Sequence, residues 1–239
     1  ALSRYDYDGL GNLIEKAYSA DEEAGVLYSF DSEGRTVSRS DRAGDAVFER
    51  DGIGRVIREV DGQGRALSYA YDSLGNVSRV EYPDGSTVEY GYDNAGNLVT
   101  VSAPEGEYRY SYDASSRPVG LSRPNGTVTA YAYDEMGNVV SVSTSDSTGS
   151  LLSSYAYSHD EEGAIVSEAE TIVDGAGTQH RADRAFAYDG DGRLVSCSQQ
   201  GSEGCYAEVY TYDAVGNRLS LERTGDNADS VAYEYLSLI

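Results

Sequence analysis

The pattern aromatic-Asp-x-x-Gly-Asn/Arg returns through the whole chain, and a motif at a fixed period restricts the fold more tightly than any single segment can. Copies stand at Tyr7-Asp8 with Gly11-Asn12, Phe30-Asp31 with Gly34-Arg35, Tyr71-Asp72 with Gly75-Asn76, and Tyr92-Asp93 with Gly96-Asn97. They continue at Tyr133-Asp134 with Gly137-Asn138, Tyr188-Asp189 with Gly192-Arg193, and Tyr212-Asp213 with Gly216-Asn217. Three copies are degraded. Arg50 replaces the aromatic before Asp51 and Gly54, Ser116 replaces the glycine after Asp113, and His159 replaces the aromatic before Asp160 and Gly163. The ten aspartates lie 20 to 23 residues apart as far as Asp134, and 24 to 29 apart beyond it.

Thr87 to Ser102 shows what one copy builds. Val88, Tyr90 and Tyr92 alternate with Glu89 and Gly91, the period of a strand. Leu98, Val99 and Val101 give a second strand after the turn. Between them Asp93 can accept a hydrogen bond from the N–H two residues on, and Gly96 can take the left-handed conformation that closes a type I turn with a G1 bulge. A second aromatic commonly sits two residues before the first, as at Tyr69, Tyr90, Tyr110 and Tyr131, which puts both rings on one face. Tyr233 and Tyr235 begin another copy.

A weaker glycine turn falls between the main ones, at Asp61-Gly62-Gln63-Gly64, Pro83-Asp84-Gly85, Pro104-Glu105-Gly106 and Pro124-Asn125-Gly126. Each repeat of about 21 residues therefore holds two strands and two turns, and successive hairpins can pair edge to edge. The expectation is an all-β chain of tandem antiparallel β-hairpin repeats. Apolar residues fall on both parities, since Leu98 and Val101 differ from one another, and about twenty strands exceed the roughly ten that an open sheet holds without curling. A curled or spiralling sheet follows. Residues 1–239 read as a single array, regular over 1–143 and looser over 144–239. Ser143 to Ser150 reads as a polar tip and Asp174 to Gly177 as the turn of a longer hairpin.

A net charge of −23 makes nucleic acid an unsuitable partner, because affinity there comes from cations that displace phosphate counterions. No apolar run approaches the roughly 20 residues of a membrane span. Ala1 to Arg4 is not a signal peptide. A chain that opens and closes inside its repeat reads as a piece of a longer protein, and any targeting signal would lie outside it. Cys197 and Cys205 flank a hairpin around Gly201 and are a candidate disulfide; two free thiols are the alternative.

Chemistry is sparse. The two histidines, His159 and His180, stand beside no nucleophile motif and no metal pair, so catalytic and metal-binding residues are expected to be absent, and no cofactor is implied. Asp189 to Gly192 and Asp93 to Asn97 are rich in oxygen, but turn capping accounts for them without calcium. The turn pairs Asp8/Gly11, Asp31/Gly34, Asp51/Gly54, Asp72/Gly75, Asp93/Gly96, Asp134/Gly137, Asp160/Gly163, Asp189/Gly192 and Asp213/Gly216, with Asp113, are read as structural. Tyr69, Tyr90, Tyr110 and Tyr131 could form a glycan platform, since flat rings cover sugar faces. Their recurrence favours a ladder that holds the sheet together.

The Tyr-Asp-x-x-Gly-Asn/Arg core at this period resembles the YD-repeat, or RHS-repeat, family, and the resemblance covers essentially the whole chain. It implies a β ribbon wound into a hollow shell, as in the C components of insecticidal toxin complexes, bacterial polymorphic toxins and the extracellular region of teneurins. In the bacterial members the shell encloses a toxic C-terminal domain. The self-cleaving core of those toxins, near an Asp-Pro-x-x-Gly-Arg sequence, has no counterpart, and no Asp-Pro dipeptide occurs. The expected function is that of an encapsulating or scaffolding segment of a larger secreted or cell-surface protein, with the rest of its parent chain as partner. A carbohydrate-binding module is the alternative, and unpaired strand edges would favour self-association.

Overall fold

A computed structural model describes residues 3–18, 21–202, 204–226 and 228–233, so Tyr235 lies outside the described residues. Every regular element among them is a strand. The chain divides into two compact units, residues 1–107 and 108–239. The first holds β1 (Ser3–Tyr7), β2 (Leu13–Tyr18), β3 (Asp21–Phe30), β4 (Thr36–Asp41), β5 (Gly44–Arg50), β6 (Val56–Val60), β7 (Ala66–Tyr71), β8 (Val77–Glu81), β9 (Thr87–Tyr92) and β10 (Leu98–Ala103). The next strand, β11 (Gly106–Tyr112), leads into the second unit. There follow β12 (Pro118–Ser122), β13 (Val128–Tyr133), β14 (Val139–Ser145), β15 (Leu151–His159) and β16 (Ile165–Val173). The series ends with β17 (Gln179–Tyr188), β18 (Leu194–Gly201), β19 (Gly204–Tyr212), β20 (Arg218–Gly225) and β21 (Asp229–Ala232). In each unit consecutive strands pair antiparallel, an uninterrupted meander of hairpins.

Each main hairpin carries one register shift next to its turn. Tyr92 opposes Leu98, yet Gly91 opposes Thr100 and Tyr90 opposes Val101. The extra residue of this bulge reverses the parity of everything after it. Leu98 and Val101 consequently both stand opposite tyrosines, which corrects the reading of apolar residues on two faces. Tyr69 likewise opposes Val80, Tyr110 opposes Leu121, and Tyr131 opposes Val142. On the other face the same strands bring together small and polar residues, such as Ala132 with Ser141 and Ala130 with Ser143.

Burial is shallow. The least exposed apolar residues are Ala46, Val80, Ala182 and Cys197, and among the described residues no large side chain is completely enclosed. A single sheet can bury each residue only against its immediate neighbours, so cross-strand pairs and turns carry the stability.

The extra residues of the looser region lengthen strands. β15, β16 and β17 run 9, 9 and 10 residues, and β14 extends to Ser145, so the first three residues of the expected polar tip are strand and the rest is a turn. The Asp146 N–H donates to the Ser150 carbonyl and the Asp174 N–H to the Thr178 carbonyl, which gives both segments the ordinary turn.

The cysteines correct another expectation. Cys197 opposes Glu208, whereas Cys205 opposes Gln200, so the hairpin register sets the two thiols three residues apart along the ladder. Both are free, Cys197 buried and Cys205 exposed. A disulfide needs Cα atoms within about 7 Å and Cβ vectors that converge, which this register does not provide.

Candidate functional site at the stacked turns

The turn residues read from the sequence form one repeated clasp. In the copy at Asp93, its N–H donates to the Asn97 carbonyl at 2.9 Å and the Gly96 N–H donates to the Asp93 carbonyl at 3.0 Å. The carboxylate does more. Oδ1 accepts from the N–H groups of Ala95 and Asn97, while Oδ2 accepts from the Asn97 amide, each at 2.9 Å. These donors, the Asn97 side chain foremost, hold the Asp93 carboxyl below the usual carboxylate range. Where arginine takes the fifth place, its Nε occupies Oδ2 instead, at 2.7 Å for Arg55 on Asp51, Arg117 on Asp113 and Arg193 on Asp189. The asparagine or arginine is therefore the second jaw of the turn.

Gly96 sits at φ +85°, with open space where a Cβ would point. Gly11, Gly34, Gly54, Gly75, Gly137, Gly163, Gly192 and Gly216 share this left-handed conformation. Ser116 adopts it too, at φ 60°, so the turn after Asp113 keeps its form without a glycine. The left-handed region costs an L residue roughly 1–2 kcal/mol. Ser116→Gly is expected to raise stability by about 1 kcal/mol, read as a higher urea midpoint at unchanged slope.

A second set of bonds recurs between successive repeats. The turn-side tyrosine donates its hydroxyl to the carbonyl two residues past the left-handed residue of the preceding main turn, from Tyr71 to Val56 at 2.6 Å, Tyr92 to Val77 at 3.0 Å and Tyr133 to Pro118 at 2.8 Å. Tyr188 reaches Ile165 at 3.0 Å and Tyr212 reaches Leu194 at 2.8 Å in the same way. In the degraded third copy Arg50 does the same work, its guanidinium donating to the Thr36 carbonyl at 3.0 Å. Stacking runs alongside. The guanidinium of Arg55 lies 4.3 Å from the Tyr71 ring centre, that of Arg117 4.6 Å from Tyr133, and that of Arg193 5.2 Å from Tyr212.

His159 stands in the same slot without the bond, and its Nδ1 is buried with no partner. His159→Tyr should restore a hydroxyl directed at the Val139 carbonyl and raise stability by about 1 kcal/mol. Tyr92→Phe should cost a similar amount; equal melting curves for Tyr92→Phe and the parent would contradict the clasp.

The other sequence candidates are dispersed. His180 pairs with Asp174 at 3.3 Å, far in sequence from His159, and among the described residues no group of three or more His, Cys, Asp or Glu side chains is placed to hold a metal ion. Tyr69, Tyr90, Tyr110 and Tyr131 are half-buried on the tyrosine face, and burial pushes the Tyr69 and Tyr90 hydroxyls up. Among the described residues no helix is long and apolar enough to cross a membrane. One network went unforeseen. Glu208 is only 7% exposed and gathers the Tyr210 hydroxyl, Arg223 Nε at 2.7 Å and the Cys197 thiol.

The model of the teneurin YD-shell family matches residues 49–158. Over that stretch the chain is similar to the YD-shell repeats. Solved structures agree on the fold: the crystal structure of TcdB2-TccC3 aligns with a TM-score of 0.78 at 16% identity, over 96% of this array and 15% of that chain. The crystal structure of TcdB2-TccC3-Cdc42 aligns at 0.77 and 16% identity, over 96% of the array and 14% of that chain. The chain thus spans about one seventh of the length of those chains. No curated protein matches it.

Proposed function

We propose that this YD-repeat array is a stretch of wall, without catalytic function, in a larger secreted or cell-surface protein, where its sheet curls around another domain of the same parent chain and encloses or displays it. Residues 1–239 act as one array in this reading. The observation that carries it is the clasp between successive repeats. The same hydroxyl-to-carbonyl bond and the same arginine-on-tyrosine stack recur along the turn edge, so the repeats that carry them are held to their neighbours in one fixed relation. A wall needs that property: stability that sums over neighbours and does not depend on a thick core. The likeness to the far longer TcdB2-TccC3 chains supports it.

Limited proteolysis of the parent protein tests the reading. A domain enclosed by the wall should resist protease in the intact protein and become cleavable when Tyr71, Tyr92 and Tyr133 are all changed to phenylalanine. Equal cleavage of the neighbouring domain with and without the wall would exclude enclosure.

A further inference from the structure

The weaker turns form the other edge of the sheet, and Tyr82 is out of place there. Its N–H donates to the Ser86 carbonyl, as the N–H groups of Asp61, Asp146 and Asp174 do in the matching turns. The repeat therefore asks for no aromatic at this position, yet the Tyr82 ring is 40% exposed. With Pro83 it lines three concavities; one of about 420 Å³ has Arg58 and Arg65 in its lining and already holds cations, whereas the other two are more acidic. The first of these two, of about 380 Å³, lies between the turns at Asp61 and Tyr82 and has Leu67, Glu59 and Asp61 in its lining, together with Arg65, which Asp61 already engages. The other, of about 370 Å³, lies between the turns at Tyr82 and Ala103 and has Val88, Pro104, Asp84 and Glu105 in its lining.

Both slots combine an apolar floor, carboxylates and the same aromatic wall. That combination suits a long basic side chain: methylenes on the floor, the cation between the ring and the acids. The charge of −23 draws cationic partners to this chain. Successive turns on one edge are two strand spacings apart, so the slots repeat at about 9.5 Å. In a polyproline II segment the residues i and i+3 share a face and stand about 9.3 Å apart.

We propose that the Tyr82 edge binds an extended, basic polypeptide segment that places two arginines or lysines, three residues apart, into these two slots. This does not depend on the shell reading. The test is fluorescence anisotropy with a labelled proline-rich peptide carrying two arginines at i and i+3, titrated with the 239-residue chain. A peptide with the arginines at i and i+2 should bind about tenfold more weakly, as should Tyr82→Leu with the first peptide. Glu59→Gln should weaken binding several-fold, and Glu222→Gln, which is in the lining of neither slot, should leave it unchanged. Melting curves establish which variants are folded, and should Tyr82→Leu unfold, peptide spacing and Glu59→Gln carry the test. Absence of binding, indifference to arginine spacing, or equal losses in Glu59→Gln and Glu222→Gln would each overturn the proposal.

Discussion

Gly44→Ala is expected to cost about 3 kcal/mol, the sum of a backbone clash and a strained φ. Gly44 lies at φ +111°, where only glycine is comfortable, and a Cβ there would stand 2.5 Å from the Gly62 carbonyl oxygen and 2.7 Å from its Cα. The approach is mutual, because a Cβ on Gly62 would meet the Ala43 carbonyl and the Gly44 Cα. Two neighbouring turns thus pack backbone against backbone, with no flexible side chain able to yield. Comparison separates the two causes. Gly62 has no positive φ, so Gly62→Ala reports the clash; Gly64 is at φ +78° with open space, so Gly64→Ala reports strain alone, about 1 kcal/mol. Urea denaturation of the three variants should rank Gly44→Ala worst and Gly64→Ala mildest. The reverse order would mean that the turns do not touch.

Glu208→Ala is expected to cost about 2–3 kcal/mol at pH 7, somewhat below the usual loss for breaking a buried ion pair because the Arg223 side chain is 36% exposed and can turn toward water. Removing the carboxylate strands the Tyr210 hydroxyl, whose ionisation burial and Glu208 already push up, and leaves the Cys197 thiol without its acceptor. The pH dependence follows from the direction of the shift. The Tyr210 hydroxyl first, and Arg223 after it, hold the Glu208 carboxyl below its ordinary range despite burial. A folded value below the unfolded one, about 4.3, means that the contribution is fully present above that pH and is lost as acid protonates the folded carboxylate. The penalty of Glu208→Ala should therefore shrink steadily below about pH 4 in paired urea titrations. A penalty independent of pH would show that the charge of Glu208 is not what stabilises the network.

The local turns were open to reading because all their chemistry lies within five residues: Asp93, Gly96 and Asn97 announce the hairpin wherever they recur. The bonds between repeats were not. Tyr92 finds the Val77 carbonyl 15 residues back, and nothing in either residue names the other. One signal was present, though: the repeat keeps a tyrosine at that place, and where it fails Arg50 supplies another long donor. The chain has 17 arginines and one lysine, Lys16, and Arg55 shows what arginine adds, since its Nε holds Asp51 while its plane covers Tyr71. A lysine ammonium cannot do both. The parity error at Leu98 and the misplaced pairing of Cys197 with Cys205 share a source, since a bulge or a turn of unknown length moves a side chain across the sheet or along it. Glu208 was one carboxylate among many until β18, β19 and β20 set it against Cys197 and Arg223.

The most direct test of a curled wall of coupled repeats is small-angle X-ray scattering of the 239-residue chain, with light scattering to fix its mass. A compact domain of this length has a radius of gyration of about 18 Å. The wall predicts a monomer with a clearly larger radius and the scattering of an open, curved plate. A monomer at about 18 Å, scattering as a solid globule, would contradict it.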